Sequence, residues 1–182
     1  MIRMSKNNKK TAALRTAIVP GSFDPMTVGH LDVVKRALAL FDRVAVAVMN
    51  NPEKEYMFTP AERLRIAELT VAGFERVFVI SSDGLTAELY ASLGACALVK
   101  GIRNGGELSY ELMQADFNSQ RPERCETILL PASPGMRRIS STSVRRSIEK
   151  GRVPEKLLAP DAAVYIKSIA GKKAGKGKNN EE

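Results

Sequence analysis

From residue 17 onward the chain alternates short, β-branched apolar runs with longer segments of helical period, and no other feature constrains its fold as strongly. The strand candidates are 17–20, 43–49, 76–81, 95–100 and 127–131. Between the first two, GHLDVVKRALALF sets Leu31, Val34, Leu38 and Phe41 along one helix face, and the helix is expected to begin at His30. TPAER supplies a second start: Thr59 can cap, Pro60 suits the first helical position, and Glu62 completes a capping box. Further helices are expected at 84–93, 105–120, 141–150 and 155–170. No internal repeat of about 20–50 residues appears. Strand and helix alternating with short connections specify an α/β fold, a doubly wound parallel five-stranded sheet closed by C-terminal helices.

The 182 residues, 44% of them hydrophobic, suffice for one domain with one core. The net charge of +8 invites a nucleic-acid reading, so its location matters. Residues 1–16 hold five bases and no acid, 171–182 hold four lysines and two glutamates, and 17–170 are left with 19 bases against 18 acids. The expected organisation is therefore a nearly neutral folded domain, 17–170, between two basic, disordered ends at 1–16 and 171–182. That distribution speaks against a nucleic-acid partner. The longest apolar runs, VAVAV at 44–48 and TILLPA at 127–132, are far shorter than the roughly 20 residues of a membrane helix. The N-terminal MIRMSKNNKKTAALR has no apolar signal region, so a soluble, cytoplasmic protein is expected. Cys96 and Cys125 lack ligand spacing and read as buried thiols in a reducing compartment, with no metal site built on them.

In a doubly wound sheet, ligands bind at the carboxyl ends of the strands near the switch in strand order. Four post-strand loops are unusual: 20–30, 50–58, 100–111 and 132–142. The first, PGSFDPMTVGH, runs from a strand into a helix whose N-terminal N–H groups suit an anion. Ser22 can donate a hydroxyl there, Gly21 lets backbone approach a ligand, and His30, the single histidine of the chain, points toward the same anion from the first helical turn. A capped turn with an incidental histidine is the bland alternative. The fourth loop, SPGMRRISSTSVRRS, sets Ser140, Ser141, Thr142 and Ser143 beside Arg137 and Arg138. Capping explains one or two such hydroxyls, and four beside two arginines suggest phosphate binding.

These motifs carry a resemblance that runs from about residue 17 to 165. GSFDPMTVGH resembles the signature of the adenylyltransferases in the nucleotidyltransferase superfamily, a strand and tight turn followed by (H/T)-x-G-H. Members acting on nicotinate mononucleotide, and the cytidylyltransferases, usually carry H-x-G-H. Thr27 gives the T-x-G-H form of the bacterial phosphopantetheine adenylyltransferases. NNPEKEYMFTPAER, LVKGIRNGGELSYE and ISST resemble later segments of that family in the same order. Two departures stand out: Lys100 replaces the usual arginine, and ELSYE replaces D-F-E-Y-E. Lysine keeps the charge and loses the planar fork.

The resemblance implies a Rossmann-like fold and transfer of an adenylyl group from ATP to 4′-phosphopantetheine, with Mg²⁺ accompanying the nucleotide and a homohexameric assembly. Carried over residue by residue, it implies catalytic roles for His30, Lys54 and Arg103, and acceptor contacts from Ser22, Lys54, Thr86 and Lys100. For ATP it implies Ser22, Phe23, His30, Gly101, Ile102, Arg103 and Glu111, together with Met136, Arg137, Arg138, Ile139, Ser140, Ser141 and Thr142. Such a reaction needs no general base, because a phosphate monoester with a second pKa near about 6 is already mostly dianionic at neutral pH. It needs cations and donors that hold two repelling anions in line. Two other readings are a different phosphate acceptor, such as nicotinate mononucleotide, and a non-catalytic nucleic-acid-binding module using the basic ends.

Overall fold

The computed structural model describes residues 13–170, so most of the two basic ends, 1–12 and 171–182, lies outside the described residues. Its centre is a five-stranded, wholly parallel sheet in the order β3-β2-β1-β4-β5. The strands are β1 Thr16–Gly21, β2 Arg43–Met49, β3 Val77–Ser82, β4 Ala97–Ile102 and β5 Thr127–Pro131. The chain moves outward from β1 through β2 to β3, then returns to lay β4 on the other side of β1. The switch in order therefore falls between β1 and β4, where the connections leave in opposite directions and open a crevice at the strand ends.

Strand alternation splits the core into two layers. Ala17, Val19, Val44, Val46, Val48 and Val99 face one side, buried under α1 (Val28–Leu40), α2 (Pro60–Val71), α5 (Ser141–Glu149) and α6 (Pro160–Ala170). Ile18, Ala45, Ala47 and Leu98 face the other, under Ala87 of α3 (Thr86–Ser92) and beside Cys125. Helix α4 (Gly105–Ser119) buries no residue fully and leaves Tyr110, Met113 and Phe117 about half exposed. Among the described residues no helix is long and apolar enough to cross a membrane.

The strand boundaries agree with the sequence to within one or two residues, and the capping box at Thr59, Pro60 and Glu62 is formed. Three boundaries and one burial differ. Helix α1 begins at Val28, because the extended Thr27 is its cap and His30 is its third residue. Helix α3 begins at Thr86, after Gly84 and Leu85. The single helix expected over 155–170 divides into a 3₁₀ turn, Glu155–Leu157, and α6, since Pro160 lacks the N–H that a continuing helix needs. Cys96 is exposed, its thiol 3.4 Å from the Thr16 carbonyl, and Cys125 is buried.

One glycine on β4 is fixed by packing. A Cβ on Gly101 would sit 2.7 Å from Cγ2 of Val33, a stiff β-branched side chain that is itself buried. Gly73, by contrast, has nothing within 4 Å of a built Cβ. Gly101→Ala is expected to lower unfolding free energy by about 1–3 kcal/mol in urea titrations, and Gly73→Ala to stay within about 0.5 kcal/mol of the parent.

Candidate active site

The turn that follows β1 forms the floor of the crevice, and its shape is held from several directions. Phe23 is buried with φ of 48°, and its ring lies where a Cβ on Gly21 would come within 3.0 Å. Only a glycine lets the ring close over the strand end. Asp24 is buried, and its two carboxylate oxygens accept the backbone N–H groups of Met57 (3.0 Å) and Phe58 (2.9 Å). Arg145 of α5 donates to the Asp24 carbonyl (2.6 Å) and lies 3.5 Å from its carboxylate. Ser141 donates to the Pro25 carbonyl (2.8 Å), and Arg63 of α2 donates to the Ser22 carbonyl (2.7 Å).

This turn delivers His30 in one protonation state and one orientation. The backbone N–H of Thr27 donates to Nδ1 at 3.0 Å, so Nδ1 must be the unprotonated nitrogen. The Thr27 hydroxyl lies 3.1 Å from the same nitrogen. The neutral ring therefore carries its proton on Nε2. Its pKa falls to about 4, first through burial of the ring and then through the Arg103 and Lys100 cations, with Glu107 opposing them. Phe23 meets the ring edge-on, centroids 5.2 Å apart, and limits its rotation.

The opposite wall comes from the end of β4. Lys100 pairs with Glu111 at 3.1 Å. Arg103 donates Nε and Nη2 to the two oxygens of Glu107 and Nη1 to the Ile139 carbonyl. Three of its five guanidinium N–H groups are thus engaged, and two remain. Between the walls lies a cleft of about 260 Å³, lined by His30, Lys100 and Arg103 among others. A smaller pocket of about 40 Å³ adjoins it, sharing Pro20, Lys100 and Glu111 and extending past Thr86 to Gln114 and Asn118.

Of the residues singled out in the sequence, Phe23, His30, Lys100, Gly101, Arg103 and Glu111 line the cleft, joined by Met136 and Ile139. Thr86 lines only the smaller pocket. Ser22 and Ile102 sit half-buried at the ends of β1 and β4, outside the cleft lining. Lys54, Arg137 and Arg138 are exposed on their loops. The hydroxyl run is largely occupied: Ser140 caps α5 by accepting from the Ser143 N–H, Ser141 holds Pro25, and the Ser143 hydroxyl donates to the Ser140 carbonyl. Thr142 receives only a 3.4 Å contact from Arg145. Anion binding at this helix would therefore fall chiefly to backbone N–H groups of its first turn.

Sequence reasoning missed Asp24, Arg63, Glu107 and Arg145 as organisers of the site. Asp24 offered a signal, an acid set between the apolar Phe23 and Pro25. Arg63 closes the family-like segment NNPEKEYMFTPAER, but the residue pattern of PAERLRI does not set its role apart from that of the exposed Arg65.

Comparison with known proteins agrees with this fold. The family model described as cytidylyltransferase-like matches residues 18–147. Two curated relatives are phosphopantetheine adenylyltransferases. That of Chloroflexus aurantiacus is 38% identical over 164 residues, 90% of this chain and 100% of the relative. That of Limosilactobacillus reuteri (strain DSM 20016) is 41% identical over 138 residues, 76% of this chain and 80% of the relative. A solved structure from Vibrio parahaemolyticus, assigned as a nicotinate-nucleotide adenylyltransferase, shares the fold with a TM-score of 0.63 at 16% identity, covering 86% of this chain and 93% of its own. The chain belongs to the cytidylyltransferase-like family and, within it, to the phosphopantetheine adenylyltransferase branch.

Because His30 is the sole histidine, its imidazole can be followed by NMR in untagged protein without assignment. Its signals are expected to titrate with a midpoint near 4 and to show the Nε2–H nitrogen pattern at neutral pH. A midpoint near 6.5 would contradict the desolvated, neutral ring. The sign for stability follows: the folded ring takes its proton at lower pH than the unfolded one, so this contribution is intact above pH 6.5 and erodes as pH falls toward 4.

Proposed function

We propose that the chain catalyses reversible transfer of the adenylyl group of ATP to 4′-phosphopantetheine, giving dephospho-coenzyme A and pyrophosphate. The observation that carries this reading is the convergence of a neutral Nε2–H donor and two cations, Lys100 and Arg103, on one cleft at the switch point of the sheet. The terminal phosphate of the acceptor attacks the α-phosphorus of ATP in line. The new P–O bond forms as the bond to the β-phosphate oxygen breaks, and pyrophosphate leaves with that electron pair. No proton need be removed from the dianionic nucleophile. His30 Nε2–H and the two remaining N–H groups of Arg103 stabilise charge on the transferring phosphoryl group, while Lys54 and Lys100 draw the two phosphates together. Met136 and Ile139 offer an apolar wall for the nucleotide beside the Gly101 backbone.

The smaller pocket receives the pantetheine arm, with Thr86, Gln114 and Asn118 offering it polar groups beyond Lys100. Glu107 and Glu111, the carboxylates of the cleft, are each paired with a cation, and the described residues hold no group of three or more His, Cys, Asp or Glu side chains suited to a metal ion. The magnesium of an ATP complex is held by phosphate oxygens and water and enters with the substrate. The exposed apolar stripe of Tyr110, Met113 and Phe117 on α4 supports association of copies, which the family resemblance puts at six. A near-neutral body supports small anionic substrates in the cytoplasm over nucleic acid as partners.

Purified protein with ATP, Mg²⁺ and 4′-phosphopantetheine should release pyrophosphate and form dephospho-coenzyme A, while nicotinate mononucleotide in the same assay should give none. His30→Ala should cut kcat by about 10²–10³ while the protein stays folded, its thermal midpoint lowered by no more than the loss of the Thr27 cap contact explains. Near-full activity of that variant would remove His30 from the mechanism, and turnover of nicotinate mononucleotide in preference to phosphopantetheine would reassign the acceptor.

A further inference from the structure

Arg63 is fully buried, one of the largest side chains with no exposure in the molecule. Its hydrogen bonds end on neutral oxygens: the Ser22 carbonyl (2.7 Å), the Met49 carbonyl (3.1 Å) and Oδ1 of Asn50. Its Nε is buried without a hydrogen-bond partner, and the guanidinium lies 3.9 Å from the centre of the Tyr56 ring. Burying a cation on such partners is costly, and an apolar side chain would fill α2 at less expense. What the guanidinium supplies instead is a planar fork that reaches two loops at once.

Those loops are the ones that carry the acceptor-phosphate candidates. One branch of the fork ends on Ser22 itself. The other ends on Asn50, whose side chain donates to Ser81 (3.0 Å) near the end of β3 and to Asp83 (2.6 Å) just past it. The ring under the guanidinium belongs to Tyr56, whose hydroxyl accepts the N–H of Asn51 (3.0 Å). Asn51 in turn accepts the N–H of Lys54 on its carbonyl (3.1 Å). Arg63 is thus the shared anchor between the turn bearing Ser22 and the loop bearing Lys54, at the ends of β1 and β2. The ATP side of the cleft, built on β4 and α1, is held by other contacts, Arg103 with Glu107 and His30 with Thr27.

We infer that Arg63 is a positioning residue for the acceptor phosphate, fixing the separation of Ser22 and Lys54, while the ATP contacts other than Ser22 are held on the β4 side and at His30. This rests on the reading of Ser22 and Lys54 as acceptor contacts. Lysine at this position keeps the charge and can reach only one of the two loops.

The test is steady-state kinetics of the full chain with each substrate varied in turn, alongside thermal unfolding. Arg63→Lys should raise the KM for 4′-phosphopantetheine tenfold or more and move the KM for ATP less than twofold. Asn50→Ala, which removes the acceptor at the second branch, should show the same split at a smaller size, and it carries the test if Arg63→Lys does not fold. Arg65→Lys, exposed on the same helix, should match the parent. Equal change in both KM values, or no change in a folded variant, overturns the inference. Parent protein that makes no dephospho-coenzyme A, or Lys54→Ala with an unaltered acceptor KM, overturns the underlying reading instead.

Discussion

The carboxylate of Asp24 is the contact on which the geometry of the site depends. A buried charge is tolerated only when it is paired and hydrogen-bonded, and Asp24 meets both conditions with partners from elements distant in sequence. It takes the N–H groups of Met57 and Phe58 just ahead of α2 and sits beside Arg145 of α5. Removing it would leave a half-buried arginine without its counter-ion and two backbone donors without their acceptor, so the cost would spread beyond one bond. In return, the turn after β1 is tied to helices on the better-covered face of the sheet. The start of α1, and with it Thr27 and His30, follows from where that turn ends.

Preorganisation continues around the cleft. His30 needs no proton shuffling to act as a donor, because the Thr27 N–H already occupies Nδ1 and desolvation of the ring, with two nearby cations, disfavours a second proton. Lys100 and Arg103 would repel one another if bare, and Glu111 and Glu107 hold them apart and aimed. Donors fixed before the substrate arrives cost little reorganisation during the reaction, which is the main resource the proposed mechanism draws on.

The fold was legible because both of its periods are strong. Val44, Val46 and Val48 alternate with Ala45 and Ala47, and each set packs into a different layer. Element ends were less legible where a cap or proline decides them, as at Thr27 and Pro160. Within the site, Lys100, Gly101 and the histidine could be read from motif and position and do line the cleft, whereas Ser22 and Ile102, also at strand ends, do not. Residues that act by holding others could not. Arg63 and Arg65 differ only in which side of α2 they occupy, and the burial of one depends on Ser22, Met49 and Asn50, all at least 13 positions away. Ser140, Ser141 and Ser143 show the converse: polar side chains that look available in sequence are committed to capping and to Pro25.

At the centre of this account is direct transfer between two substrates, with the protein supplying position and electrostatics alone. The most direct measurement is the stereochemical course at the α-phosphorus, followed with ATP carrying sulfur of one configuration at that atom and 4′-phosphopantetheine as acceptor. A single in-line displacement predicts inversion of configuration in the dephospho-coenzyme A analogue. Retention would require two displacements through an adenylylated side chain, and would contradict it.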